Sequence, residues 1–252
     1  MCYPSQVVSS DSKYDQASVA AHVRSVVTVD GVGASGKSAL ARLLAERLGY
    51  AHLNSGLLYR AAAFLADNAG ISLTDGESVR AHLAKHSIEL TYDPALGAVV
   101  TIDGSEHEAE LMSRRISEAA SQVAKHKQVR EFFLNVQRHA FEPMGVVAEG
   151  RDMGTIVFPD APVKFFVDAR LDVRARRRLE QLQARGQQGD FEGIKRELAE
   201  RDERDASRST APMKPADGAI IIDNSDTPLS DTVERMLQLV QEQSGKNRPR
   251  VA

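Results

Sequence analysis

The sequence predicts an α/β fold: a largely parallel sheet flanked by helices, with a small antiparallel β insert and a helical lid. Three observations carry that expectation. From Ser25 onward, short apolar runs alternate with helical segments, the pattern of strands joined by crossover helices. A glycine-rich octapeptide separates the first apolar run from the first helical one. Residues 87–103 then break the rhythm with two period-2 runs around a turn.

In chain order, strands are expected near 25–30, 51–53, 144–148, 163–168 and 218–223. The runs Val146-Val147-Ala148, Val163 to Val167 and Ala219 to Ile222 have the continuous apolar character of buried central strands. Helices are expected near 37–48, 57–69, 76–86, 113–124, 127–141, 171–185, 190–207 and 228–243. Segment 127–141 shows the helical period, with Val129, Phe132, Phe133, Val136 and Ala140 on one face. The last helix would turn Val233, Met236, Leu237 and Val240 inward, with Asp226 or Ser230 as its cap. In the insert, Ile88, Leu90 and Tyr92 alternate, Asp93 to Gly97 turns, and Val99 to Ile102 returns. The expected organisation is a flexible extension over 1–24, one domain over 25–243 with the insert at about 85–125 and the lid at about 170–208, and a flexible tail over 244–252.

The octapeptide is Gly31-Val32-Gly33-Ala34-Ser35-Gly36-Lys37-Ser38. It follows Val26 to Val29 and precedes Ala39 to Leu48, so G-x-x-x-x-G-K-[ST] stands in the strand–loop–helix context that gives it meaning. Glycines let backbone N–H groups turn onto phosphate oxygens, and the helix N-terminus adds its dipole and free donors. Lys37 reaches the β/γ-phosphates, and the Ser38 hydroxyl is a Mg²⁺ ligand. Residues Gly31 to Ala39 are therefore the candidate ATP or GTP site, and the expected sheet is of the P-loop NTPase type. A plain glycine turn before an ordinary helix is the competing reading, and the filled positions and correct flanks speak against it.

Composition narrows the class. At 27% charged and 42% hydrophobic residues the chain is an ordinary globular protein. A net charge of −3 speaks against a polyanion as bulk partner, so no nucleic acid is expected. The single cysteine, Cys2, forbids an internal disulfide, and no apolar run approaches membrane-spanning length. A cytoplasmic location without membrane association is expected, and a monomer, since nothing advertises an interface. The seven histidines show no dependable ligand spacing; His82 and His86 lie four apart without a third ligand.

Three further clusters stand at positions where chemistry is expected. Asn54 to Arg60 follows the second strand, so Ser55, Tyr59 and Arg60 are placed to meet a second substrate; Asn54 or Ser55 capping the next helix is compatible with that. Glu149-Gly150-Arg151-Asp152-Met153-Gly154-Thr155 follows the strand at 146–148, which puts an arginine and two carboxylates at the edge that holds the glycine loop. Between Arg170 and Arg208, Arg174, Arg177 and Arg178 share one helical face, Arg201, Asp205 and Arg208 repeat the spacing, and Ala184 to Gly189 is a flexible turn. That is what a phosphate-clamping lid needs. A solvated face is equally compatible, because Glu180, Glu197, Glu200, Asp202 and Glu203 interleave with the arginines.

These motifs together resemble the bacterial cytidylate kinases, nucleoside monophosphate kinases of the P-loop class, from about Val26 to Leu239. The family's E/D-G-R-D-x-G-T-x-V-F-P-x-A pattern is met in full by Glu149 to Ala161. Further matches are Ser-Gly-x-x-Tyr-Arg at 55–60, Ala119 to Ala124, Val129-Arg130, Arg174 to Arg178 and Arg201 to Asp205. The resemblance implies transfer of the ATP γ-phosphoryl group to CMP or dCMP, with Mg²⁺. It gives Ser121, Arg130 and Asp152 to the cytosine edge, and Arg60, Arg151 and Arg208 to the acceptor phosphate. Arg201 and Asp205 go to the pentose, while Lys37, Arg151, Arg174, Arg177 and Arg178 surround the transferring group. Two positions depart: Asn54 stands where the family usually has Asp, and Leu111-Met112-Ser113 where it has Ile-Arg-Thr/Ser. A P-loop kinase with another acceptor, or a nucleotide switch without one, is the competing class; the switch would need neither the 55–60 loop nor the arginine-rich lid.

Overall fold

The computed structural model describes residues 6–8, 25–93, 97–184 and 186–246. Cys2, the hairpin turn Pro94 to Leu96, Arg185 in the expected lid turn, most of the expected extension and residues 247–252 of the expected tail lie outside them. The chain forms two compact units, one of Met1–Ser25 with Tyr50–Val146, the other of Val26–Gly49 with Val147–Ala252.

The second unit carries β2 (Val26–Gly31), α1 (Lys37–Leu48), β7 (Val146–Gly150), β8 (Val163–Asp168), α7 (Leu171–Ala184), α8 (Phe191–Ala206), β9 (Ile220–Asp223) and α9 (Leu229–Lys246). Its part of the sheet has the order β7-β2-β8-β9, with β2–β8 and β8–β9 parallel. Strands β2 and β7 are buried along their whole length, which is why they read as uninterrupted apolar runs. Strand β9 differs from expectation. It ends the order rather than lying inside it, and Ile221 is 52% exposed, so its Ile-Ile-Ile run overstates its burial. Helix α9 packs on α1 and buries Val233, Met236, Leu237 and Val240 as the periodicity predicts. Neither expected residue caps it: Asp226 accepts from both Arg170 Nη atoms, and Ser230 lies within the helix and donates to Asp231. Helices α7 and α8 pack on each other through Ala175, Leu182, Ile194 and Leu198.

The first unit carries β1 (Gln6–Val8), β3 (Ala51–Asn54), α2 (Gly56–Asn68), α3 (Gly76–Leu83), β4 (Ile88–Asp93), β5 (Gly97–Ile102), β6 (Ser105–Glu106), α4 (Glu108–Leu111), α5 (Arg114–Val123) and α6 (Lys127–His139). The expected hairpin is β4–β5, antiparallel from Ile88↔Ile102 to Asp93↔Gly97. Within the expected extension, β1 pairs with β4 from Gln6↔Leu90 to Val8↔Ile88. Three residues give no periodic signal, and the backbone edge of β4 supplies the template. Helix α2 packs on α5 and α3 on α6, whose Val129, Phe133 and Val136 are buried. Phe132, on the same face, is half-buried beneath the Arg80 guanidinium at 4.7 Å.

Caps set several starts. Ser113 Oγ accepts from Ile116 N and Asp190 Oδ2 from Gly193 N, opening α5 and α8. Asp75 opens α3 by accepting from Ser78 N at 3.0 Å and Ser78 Oγ at 2.7 Å. Asp75→Ala is expected to lower stability, read as a lower urea midpoint with an unchanged m-value.

Candidate functional site

The glycine loop is built by the end of β2 and the start of α1. Gly31 has φ +148, and a Cβ there would stand 2.0 Å from the Val167 carbonyl oxygen of the neighbouring strand, so only glycine lets β2 end against β8. Gly36 is the N-cap of α1 in the left-handed region (φ 91), with no side-chain cap, which leaves the first-turn amides of α1 for a ligand.

Lys37 is buried, and its Nζ donates to the Val32 carbonyl inside the loop at 3.3 Å. Burial, and after it the nearby Arg151 cation, lowers its pKa to about 7. An ammonium held against its own desolvation by one carbonyl is poised to receive an anion. Ser38, exposed on the first turn of α1, donates to Glu149 Oε1 at 2.9 Å. Glu149 sits on the buried end of β7, so the expected meeting of the 149–155 segment with the glycine loop is realised in this bond.

After β7 the chain makes a turn of π-helix, Met153–Val157, whose geometry comes from Asp30. The buried Asp30 carboxylate accepts from Met153 N and Gly154 N, each at 2.8 Å, and so fixes the residues that follow Arg151 and Asp152. Burial raises the Asp30 pKa to about 7 from an ordinary 3.8, against the opposing pull of those two amides. An acid with a raised folded-state pKa binds a proton in the native state that the unfolded chain has lost. Between about 3.8 and 7 the stability from Asp30 therefore falls as pH rises, and above about 7 it is gone. The melting-temperature difference between wild type and Asp30→Asn, whose amide does not titrate, is expected to shrink in favour of the variant from about pH 5 to about pH 8.

Arg151, half-buried, donates from Nε to Asp205 Oδ2 at 3.1 Å. Asp205 is 2% exposed and also meets Arg208 Nη2 at 3.3 Å and Arg201 Nε at 4.0 Å. Three sequence-predicted arginines thus converge on one buried carboxylate, itself sequence-predicted. Asp152 is buried beside them in sequence, at the N-cap of the π turn.

The three arginines of α7 divide. Arg174 is buried and donates to the carbonyls of Ala169 (2.8 Å) and Gly33 (3.1 Å) and to Asp202 Oδ2 (2.5 Å). Arg177 donates to the carbonyls of Ser35 (3.2 Å) and Asn224 (2.6 Å). Arg178, half-buried, reaches Gln181 Oε1 at 3.5 Å. Two of the three therefore hold the outer carbonyls of the glycine loop, an arrangement that helical spacing does not reveal. Asp202, one of the interleaved acids, completes it by accepting from Gly33 N at 3.2 Å.

Sequence reading missed Asp30 and Asn224, and named Asp202 only among the acids interleaved with the arginines. Asn224 donates to the Ser35 carbonyl at 2.8 Å and accepts from Thr232 Oγ1 at 3.2 Å. The available signal was position: Asp30 lies near the carboxyl end of β2 and Asn224 directly after β9, where parallel strands present ligand contacts.

The other unit holds the remaining candidates. Asn54 Oδ1 accepts from the N–H of Gly56, the first residue of α2, at 3.1 Å, while Ser55 is buried at the N-cap without a side-chain cap bond. Arg60 donates to the Leu111 carbonyl at 2.8 Å and Ser117 Oγ at 3.0 Å, beside Met112 at the end of α4. Arg130 is buried, donates to the Ala124 carbonyl at 3.1 Å and stands 5.2 Å over the Tyr59 ring, which meets Phe133 edge-on. Ser121 is buried on α5. Among the described residues no three His, Cys, Asp or Glu side chains are grouped to hold a metal ion, and no helix is long and apolar enough to cross a membrane.

Known proteins match this chain along most of its length. The family model for cytidylate kinase matches residues 27–242. The cytidylate kinase of Pseudomonas aeruginosa (strain LESB58) is 41% identical over 214 residues, covering 84% of this chain and 93% of its own. That of Stutzerimonas stutzeri (strain A1501) is 42% identical over 218 residues (85% and 94%), and that of Klebsiella pneumoniae (strain 342) 39% over 218 residues (86% and 95%). With a buried lysine in a glycine loop, a serine–glutamate pair at its mouth and this similarity across both units, the chain belongs to the cytidylate kinase family.

Proposed function

We propose that the chain transfers the γ-phosphoryl group of ATP to CMP or dCMP, giving the diphosphate and ADP. The observation that carries this reading is the segment after β7. Glu149 meets the Ser38 hydroxyl of the glycine loop, and two residues later Arg151 meets Asp205. One short segment thus joins the donor loop to the arginine cluster that the family assigns to the acceptor.

Phosphoryl transfer needs positioning and charge neutralisation rather than a covalent catalyst. The first-turn amides of α1 and Lys37 take the β- and γ-phosphates, restoring a full positive charge on a lysine that the ligand-free loop desolvates. Ser38 Oγ and the Glu149 carboxylate are hard oxygen donors already within hydrogen-bond distance, a set that fits Mg²⁺, and these two residues would hold it. Held there, the ion would supply neutralisation of the charge on the transferring group. Arg60, Arg151 and Arg208 orient the acceptor phosphate, Ser121, Arg130 and Asp152 read the cytosine edge, and Arg201 with Asp205 contact the pentose. Arg174, Arg177 and Arg178 close over the transferring group and exclude water, which suppresses hydrolysis of ATP. Asn54 keeps the acceptor oxygen of the family's Asp without its charge and turns it to the N–H of Gly56 at the start of α2.

ADP formation from Mg-ATP, measured with a panel of nucleoside monophosphates, tests the reading. CMP or dCMP is expected to stimulate it. Stimulation only by another acceptor, or ADP formation independent of any acceptor, overturns it.

A further inference from the structure

Far from the glycine loop in sequence, the end of α3 and the start of β4 bring two imidazoles and a carboxylate together within one unit. His82, on the last turn of α3, and His86 stand with ring centroids 4.7 Å apart and their Nε2 atoms 3.3 Å apart. Two Zn–N bonds of about 2.0–2.1 Å at a tetrahedral angle place their nitrogens about 3.3–3.4 Å apart, so the pair already holds a zinc bite distance.

The outer side of the pair is built as well. His86 Nδ1 donates to Asp103 Oδ2 at 2.7 Å, which puts the His86 proton on Nδ1 and leaves Nε2 with its lone pair. Asp103 is itself fixed: its Oδ1 accepts from Ser87 N and its own N–H donates to the Ser87 carbonyl, each at 2.8 Å. A carboxylate orienting an imidazole whose other nitrogen faces a metal is the usual support for a histidine ligand. Burial, then His86 and Lys85, holds the His82 pKa below its ordinary value, so a neutral ring is available at neutral pH.

We infer that His82 Nε2 and His86 Nε2 form a two-imidazole site for a zinc-class divalent cation, with Asp103 orienting His86 and solvent completing the coordination. Without the cation, one proton lies between the two Nε2 atoms, carried by His82. Zinc takes its place, and the His82 proton moves to Nδ1. Imidazole pairs suit zinc, copper and nickel and not magnesium, so the site does not compete for the cation of phosphoryl transfer. Its structural effect is to clasp the end of α3 to the β5–β6 turn.

The experiment is zinc titration of the full chain by calorimetry in a Cys2→Ser background, which removes the thiolate as a competing ligand. One histidine-dependent equivalent is expected. His82→Gln and His86→Gln each abolish it, and Asp103→Asn weakens it by about tenfold while keeping one equivalent. Long-range ¹⁵N spectra should show both Nε2 resonances shifting on zinc addition. Zinc should raise Tm in the Cys2→Ser protein and not in its His86→Gln variant, and none of these substitutions touches a residue assigned to nucleotide. Unchanged binding in the His82→Gln, His86→Gln double variant, or no zinc-dependent change at the two Nε2 atoms, overturns the assignment. Either result leaves the kinase reading untouched.

Discussion

Lys37→Met is expected to lower kcat for CMP-dependent ADP formation by roughly a thousandfold, the scale on which preorganised donors act at a transferring group, while the ligand-free protein melts no lower than wild type. The two halves of that result have one cause. Lys37 is buried, has the Val32 carbonyl as its hydrogen-bond acceptor, and is lowered to about 7 by desolvation and by Arg151. Buried in the loop, the ammonium is a cost to the fold, so a methionine of similar length relieves it. In the proposed reaction the same charge faces β- and γ-phosphoryl oxygens as they gain charge, and methionine cannot replace it. Initial rates with CMP, set beside thermal unfolding without nucleotide, check both halves. A variant with wild-type turnover removes Lys37 from the donor site. A variant that loses turnover and melts far lower makes it a structural residue instead.

The parts of this design legible in the sequence are those whose cause is local. The glycine loop is eight consecutive residues, and the demands at Gly31 against Val167 and at Gly36 at the head of α1 fall on a residue type visible in the string, whereas the left-handed φ of 57 at Ala34 does not. Helix α6 and the β4–β5 hairpin announce themselves by period, because one face of each is buried. Strand β9 misled for the same reason in reverse: three isoleucines read as a buried strand whatever their place in the sheet, and place is set by chain crossings elsewhere. The π turn at Met153–Val157 was invisible because the Asp30 carboxylate that shapes it lies 123 residues away from Met153. The α7 arginines were legible as a charged face and not as contacts. Arg174 finds Asp202 28 residues on and the Gly33 carbonyl 141 residues back, and no spacing rule selects one of five interleaved acids. The family pattern at Glu149–Ala161 supplied what local physics did not, the direction in which to look for an acceptor.

Asp205→Asn is expected to destabilise the ligand-free protein by about 3 kcal/mol, the cost of removing a buried carboxylate that three guanidinium groups face. Arg151 Nε at 3.1 Å, Arg208 Nη2 at 3.3 Å and Arg201 Nε at 4.0 Å all face this carboxylate, and Arg208 also donates from Nε to the Asp205 backbone carbonyl at 3.1 Å. Arg208 is as buried as Asp205, so solvent does little to screen the pair. An asparagine keeps the shape and one acceptor oxygen but leaves the guanidinium groups to repel one another. The excess positive charge has a second consequence that a packing defect would not produce. Inorganic phosphate should recover more stability in the variant than in wild type, because an anion then supplies the charge that Asp205 supplied. The urea midpoint of both proteins, measured with and without phosphate at constant ionic strength, reads the two effects together. A variant that loses stability and gains nothing extra from phosphate makes Asp205 a packing residue. One that loses no stability means that the arginines are balanced elsewhere. The expected pair of results defines Asp205 as the internal anion that holds Arg151, Arg201 and Arg208 together in the ligand-free protein.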